Sequence, residues 1–328
     1  MLYLFCGKRG ERMESGIIKK RMNRVCLAIL VFIGLLGVLQ SVQIFFGELL
    51  YSILGDDSRV AEVLSQIFLA LSYFISYLFS FLIFKKAYAK DYLPVRSEAS
   101  MGAHPVPMVF SALAICLAAS HLVGSFSDGS SGVVIYHGES IVLFMLTTVL
   151  IPAFCEELFF RGLIMTNLMP LGRNFAIIAS GIIFGLVHGN HDQILFATVA
   201  GITFGFMYAE TGTIWCGVIA HMLNNFISVA ETVLWGTLKA GTAVKMSIII
   251  ESVIMVCGIA SIIYLLPRLK KEKNEEFNGG CFGSLTNRLL DEGVKYSVSD
   301  YLKGFFAPAM IAFLCYVTVS EVLYVLII

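Results

Sequence analysis

Residues 140–165 read SIVLFMLTTVLIPAFCEELFFRGLIM, an apolar run with Glu156, Glu157 and Arg161 set into it. A helix crossing the hydrocarbon of a bilayer needs about 20 apolar residues, so this run is long enough to span. An ionisable side chain at that depth costs at least ~2.5 kcal/mol. Three of them packed into 156–161 call for a functional explanation.

Outward from this run, similar stretches lie near 25–50, 61–84, 106–124, 174–190, 193–209, 213–235, 246–266 and 305–327. Composition agrees with so many. Hydrophobic residues are 58% and charged residues 14%, at a mean hydropathy of +0.83, whereas soluble domains run near 25% charged. The excess apolar surface must face lipid. The expected fold is therefore all-α, a polytopic membrane bundle of about eight or nine transmembrane helices, with the bilayer itself as a partner. Lys+Arg and Asp+Glu are 23 each, so charge points to no polyanion and no nucleic acid. The eight cysteines contain no CxxC pair, which excludes zinc ribbons and disulfide scaffolds.

The chain divides into a basic N-terminal segment 1–24, expected to be cytoplasmic, and N-terminal transmembrane helices over 25–139. A core follows over 140–235, then C-terminal transmembrane helices over 236–328 with a polar loop at 267–304. With the N-terminus inside, 20 of the 23 Lys and Arg residues fall in inner segments, leaving Arg59, Lys239 and Lys245 outside. A multi-pass protein of the cell membrane with a cytoplasmic N-terminus is the expectation.

Most spans carry no polar cost. The exceptions are EELFFRG at 156–162, FGLVHGNH at 184–191 and HMLNN at 221–225. Glu157 and Arg161 are i,i+4 in the favourable order for an ion pair. Glu156 is rotated about 100° away and has no cation on its own helix. One glutamate is thus expected to be neutralised and structural, the other free for acid–base work. His221 and Asn225 share a face, as do Phe184 and His188. Gly181, Gly185 and Gly189, with Gly201 and Gly205 on the next run, form small-residue stripes that admit close helix contact. Pro152 has no N–H to give to the carbonyl of Thr148, so a kink is expected just before the glutamates. Counting at about 1.5 Å per residue puts Glu156 roughly 8–16 Å from the inner face, His221 about 12 Å and His188 about 21 Å. That inward placement suggests a cytoplasmic-side entrance.

Blander readings exist for each residue. A Glu–Arg pair can fix helix register, Asn225 can be interhelical glue, and a lone intramembrane histidine can be a packing residue. His191 reads as structural at a helix end, and His104, His121 and His137 get no role. Packing alone does not call for two carboxylates, two histidines and an asparagine at one end of adjacent helices.

EELFFR (156–161), FGLVH (184–188) and HMLNN (221–225), in this order, resemble the EExxxR, FxxxH and HxxxN motifs of the CPBP family. That family comprises CAAX prenyl proteases, bacteriocin-processing intramembrane proteases and Abi-like proteins. The resemblance covers roughly 150–230, and nothing in 1–125 or 240–328 adds to it. It implies an intramembrane protease acting on a peptide or lipidated protein substrate.

The residues allow that chemistry. Glu156 and His188 can polarise one water, the carboxylate taking its proton and the imidazole orienting it. His221 and Asn225 are suited to hold the carbonyl oxygen as it turns anionic. Glu157, positioned by Arg161, would hold the helix and help relay the proton. No cofactor is expected on this reading. The alternative is zinc at Glu156, His188 and His221 with an open fourth position, although no HExxH is present. Cys155 points away from the glutamate and is set aside as a nucleophile. A non-catalytic immunity or partner protein, or a transporter with a Glu/His proton relay, are readings from other classes. The latter usually shows internal repeats and broken helices, which are not evident.

Overall fold

The computed structural model describes residues 3–55, 58–88, 104–124, 141–189, 191–276 and 296–327. Among them the secondary structure is helical throughout, the expected all-α bundle, with no strand. That is the outcome a bilayer imposes, because a helix satisfies its backbone polar groups within one segment.

The helices are α1 (Tyr3–Leu54), α2 (Arg59–Tyr88), α3 (Pro105–Gly124), α4 (Val142–Leu171), α5 (Arg173–Val187), α6 (His191–Thr211), α7 (Trp215–Thr237), α8 (Ala240–Glu276), α9 (Val298–Phe305) and α10 (Pro308–Ile327). Seven are long and apolar enough to cross a membrane, or eight if the bent pair α9–α10 counts as one span. Large side chains such as Phe45, Val256 and Ile263 stay exposed on their flanks, where lipid would cover them.

Three segments differ from the sequence reading. The fifth run, drawn to 190, is a helix of 15 residues, about 22 Å long and too short to cross the hydrocarbon. It stops inside the bundle, where Gly189 at φ +62° turns the chain into α6. Gly189 is thus a turn residue and not part of the glycine stripe. The basic segment 1–24 does not stand apart, since α1 runs unbroken from Tyr3 to Leu54. The loop 267–304 is helical at both edges: α8 continues through Pro267 to Glu276, and α9 forms a capping box at Ser297 and Asp300. Its middle, 277–295, and His137 lie outside the described residues.

The core has two halves. One gathers Phe32 of α1, Tyr77 of α2, Phe159 and Phe160 of α4, Phe184 of α5 and Phe313 of α10. The other gathers α3, α6, α7 and α8 around Cys116, Phe204 and Ala220. α6 and α7 belong to both, and the charged residues sit at that seam.

Close approach of α5 and α6 fixes the seam. A Cβ on Gly181 would come 2.5 Å from Ile202, and one on Gly185 would come 2.0 Å from Thr198 Oγ1. Neither helix could sit where it does with alanine there, which is what the glycine stripes implied.

The bundle has two unlike ends. At one lie the start of α1, the α4–α5 turn and the α6–α7 turn, tied by Arg21 Nη1 to Asn167 O (3.0 Å), Tyr301 Oη to Leu171 O (2.6 Å) and the Arg173–Glu210 pair. At the other lie the ends of α3 and α5 and the start of α6.

Candidate active site

α4 is not a uniform helix. Leu146–Leu150 and Leu158–Met165 are wound as π-helix, on either side of Ile151–Glu157. Such windings are rare and concentrate at functional sites. Between them stand Pro152, Glu156 and Glu157.

Glu157 is fully buried, and its Oε1 meets Arg161 Nη1 at 2.9 Å, the i,i+4 pair expected. The same oxygen meets His221 Nδ1 at 3.2 Å. Arg161 continues across to α6, where Nη2 donates to Gly201 O at 2.9 Å, with its guanidinium over the rings of Phe184 and Phe204 at 4.6 and 5.5 Å. Burying these charges is tolerable because they are paired, hydrogen-bonded and flanked by aromatic faces.

Glu156 faces differently, as its rotation on the helix required. Its Oε2 is buried without a hydrogen-bond partner and lies 3.9 Å from His221 Nε2. Tyr73 and Tyr77 of α2 face it from the other side. His221 therefore stands between both glutamates, one at each ring nitrogen, and stacks on Phe204 at 5.4 Å. A carboxylate at Nδ1 fixes that nitrogen as a donor and aims Nε2 at Glu156.

His188 and Asn225 belong to a second group. Both line a chamber of about 390 Å³, with Thr148, Cys116, Gln193 and Glu231 among the other walls. His188 Nδ1 is 2.8 Å from Phe184 O. A carbonyl can only accept, so Nδ1 carries the proton and a neutral His188 keeps an acceptor lone pair at Nε2. Asn225 Nδ2 donates to Thr148 O at 3.0 Å. The two groups meet through Phe184, whose ring is 4.9 Å from His188 and 6.0 Å from His221.

The sequence placed Glu156 with His188 and His221 with Asn225. The closest histidine nitrogen recorded for Glu156 belongs instead to His221. The chamber's walls run from Thr148 and Asn225 to Val123 and Gly124, away from the basic start of α1 and the α4–α5 turn. The shortness of α5 leaves room for it above His188.

Among the described residues, no three His, Cys, Asp or Glu side chains converge as metal ligands. Glu157 is committed to Arg161 and His221, and His188 turns one nitrogen to Phe184 O. Glu156, His188 and His221 do not converge on one point among the described residues.

Gly217 was missed in the sequence. It lies one turn before His221, and a Cβ there would sit 2.7 Å from Glu157 Oε2. A lone glycine in an apolar run gives no such signal. His104 packs edge-on against Tyr264, and His121 pairs with Glu251, both away from the glutamates.

Residues 138–227 match the family model of type II CAAX prenyl endopeptidase Rce1-like proteins. The matched segment covers 90 of the 328 residues. The chain is 33% identical over 95 residues to a Bacillus subtilis (strain 168) protein named "Putative membrane peptidase YdiL". The alignment covers 28% of this chain and 39% of that relative, so the chain spans well under half of the relative's length. No solved structure matches the chain. The matched segment contains the network and about half of the chamber's walls, while α1, α2, α3, α8, α9 and α10 lie outside it.

Proposed function

We propose that this protein is an intramembrane endopeptidase that hydrolyses a peptide bond in a peptide precursor or lipidated protein. The observation that carries the reading is Glu156: a buried, unpartnered carboxylate oxygen facing a histidine that a second carboxylate holds in place.

A single water fits the 3.9 Å between Glu156 Oε2 and His221 Nε2, because a point about 2.8 Å from both exists. Glu156 takes a proton from that water, and the oxygen attacks the carbonyl carbon. His188 Nε2 accepts the water's other hydrogen and orients it. The carbonyl oxygen becomes an oxyanion, held by the second N–H of Asn225. As the intermediate collapses the C–N bond breaks, and the proton on Glu156 passes to the leaving amine. Glu157 and Arg161 touch no reacting atom; they position His221 and α4.

The basic end of the bundle is assigned to the cytoplasm, following the Lys/Arg asymmetry. On that orientation the chamber lies toward the external side.

The test is substrate trapping. Glu156→Gln, expressed in the native membrane, should accumulate uncut peptides that wild type converts, and these should co-purify with the variant. If wild type and variant membranes hold the same peptides, the endopeptidase reading fails.

A further inference from the structure

We propose that Tyr77 of α2 is a positioning residue of the catalytic site: its hydroxyl donates to the Glu156 carboxylate and holds it in the orientation that faces His221. The inference rests on the endopeptidase reading and brings α2, which lies outside the matched segment 138–227, into the machinery.

Glu156 needs such a partner. Glu157 is held by Arg161 and His221, whereas the residues one turn either side of Glu156 are Pro152, Ala153, Phe159 and Phe160. None of them can grip a carboxylate. A glutamate side chain turns about several bonds, so something beyond α4 must select the orientation that puts Oε2 3.9 Å from His221 Nε2. The Tyr77 hydroxyl hydrogen-bonds the carboxylate from α2. Oε2 is left without a partner, which keeps it open to the attacking water. A bond from a neutral O–H to a carboxylate is charge-assisted, about twice as strong as one between neutral groups.

Tyr77 is itself fixed. It is 6% exposed, its ring stacks on Phe32 of α1 at 4.1 Å, and it meets Phe159 of α4 edge-on at 5.6 Å. Phe32 and Phe159 also face each other at 5.8 Å. Phe159 is three residues beyond Glu156, so the helix that carries the base also carries one jaw of the clamp. Phenylalanine would fill this space as well as tyrosine. A buried phenol needs a hydrogen-bond partner, and the neighbouring Phe74, Leu78, Phe81, Phe154 and Leu158 offer no side-chain acceptor to compete with Glu156. Tyr73, one turn earlier on α2, hydrogen-bonds Gln40 of α1 instead. The two tyrosines thus have separate tasks.

The experiment uses full-length protein in lipid nanodiscs and has two readouts. For the first, an uncut peptide trapped on Glu156→Gln is resynthesised with an internal quencher. Tyr77→Phe should lower kcat by about ten- to a hundredfold, with KM and melting temperature close to wild type. Two unnatural residues in place of Tyr77 separate donation from size. 4-Aminophenylalanine keeps a donor and should restore most of the rate; 4-methylphenylalanine has the bulk without the donor and should not. For the second, infrared difference spectra against Glu156→Gln isolate the Glu156 carboxyl band. Tyr77→Phe and the methyl residue should move that band, and the amino residue should bring it back toward its wild-type place. Full activity in Tyr77→Phe, equal rates with the amino and methyl residues, or a Glu156 band that stays in place overturns the proposal. The amino–methyl comparison decides even if Tyr77→Phe misfolds. If wild type cleaves nothing, the endopeptidase reading fails by itself, and the infrared band alone decides the contact: unmoved, it overturns the proposal; moved by the methyl residue and not by the amino one, it supports it.

Discussion

Asn225 Nδ2 donates to the carbonyl of Thr148 at 3.0 Å, across from α7 to α4. Thr148 is the residue four before Pro152, which has no N–H to return to it. Asn224 Nδ2 lies 3.4 Å from Asn225 Oδ1, so the carboxamide is held on both sides and its second N–H is left for the chamber. The proline and the asparagine, 73 positions apart, form one device.

That device predicts a coupling. Asn225→Ala should lower kcat by about 10²–10³, the usual loss for one oxyanion donor, and destabilise the fold by about 1 kcal/mol. Pro152→Ala restores an N–H to the helix, so in that background the stability cost of Asn225→Ala should shrink. A double-mutant cycle on thermal unfolding measures it; strictly additive costs would break the link.

The two glutamates should separate cleanly. Glu156→Gln is expected to abolish cleavage with an unchanged melting temperature. Glu157→Gln leaves Arg161 and His221 facing a neutral amide at 0% exposure, at a cost of several kcal/mol. It should lose both activity and stability. Equal losses of melting temperature in the pair would count against the assignment.

Gly217→Ala probes the Glu157 pocket from the neighbouring helix. The added methyl meets Glu157 Oε2 at 2.7 Å, and that carboxylate is pinned by Arg161 and His221. Overpacking of this kind costs about 1–3 kcal/mol. Activity should fall further than stability alone explains, because His221 loses its orientation. Gly236→Ala, with open space around it, is the control; matching effects at both sites would contradict the pocket.

Exhaustive chelation decides whether a metal takes part. With Glu156 as the base, the rate should stay within a factor of about two. Loss of a Lewis acid instead removes several kcal/mol of transition-state stabilisation, on the order of a thousandfold in rate. Stoichiometric zinc, lost and regained with activity, would replace the mechanism proposed.

Orientation is checked with fused reporters. One after Lys271 should read cytoplasmic and one within 127–137 external. A cytoplasmic signal from 127–137 would reverse the sidedness of the chamber.

Much of the fold was legible because lipid imposes simple rules. Each apolar run longer than a bilayer had to be helical, and i,i+4 spacing alone found the Glu157–Arg161 pair. The fifth run was misjudged because it was drawn on through His188 and Asn190, past the point where Gly189 turns the chain. Hydropathy does not register a left-handed glycine.

The sequence by itself determined the membrane bundle and the helix-local relations of Glu156, Glu157, Arg161, His221 and Asn225, because all of these follow from composition and helical period. Only the tertiary structure decided which carboxylate holds His221, that Gly217 makes room for it, that Asn225 serves the carbonyl Pro152 cannot, and that Glu231 overlooks the chamber. Those are contacts between helices, set by how glycines and aromatic side chains let the helices approach, and the period of one helix carries no record of its neighbour's rotation or depth.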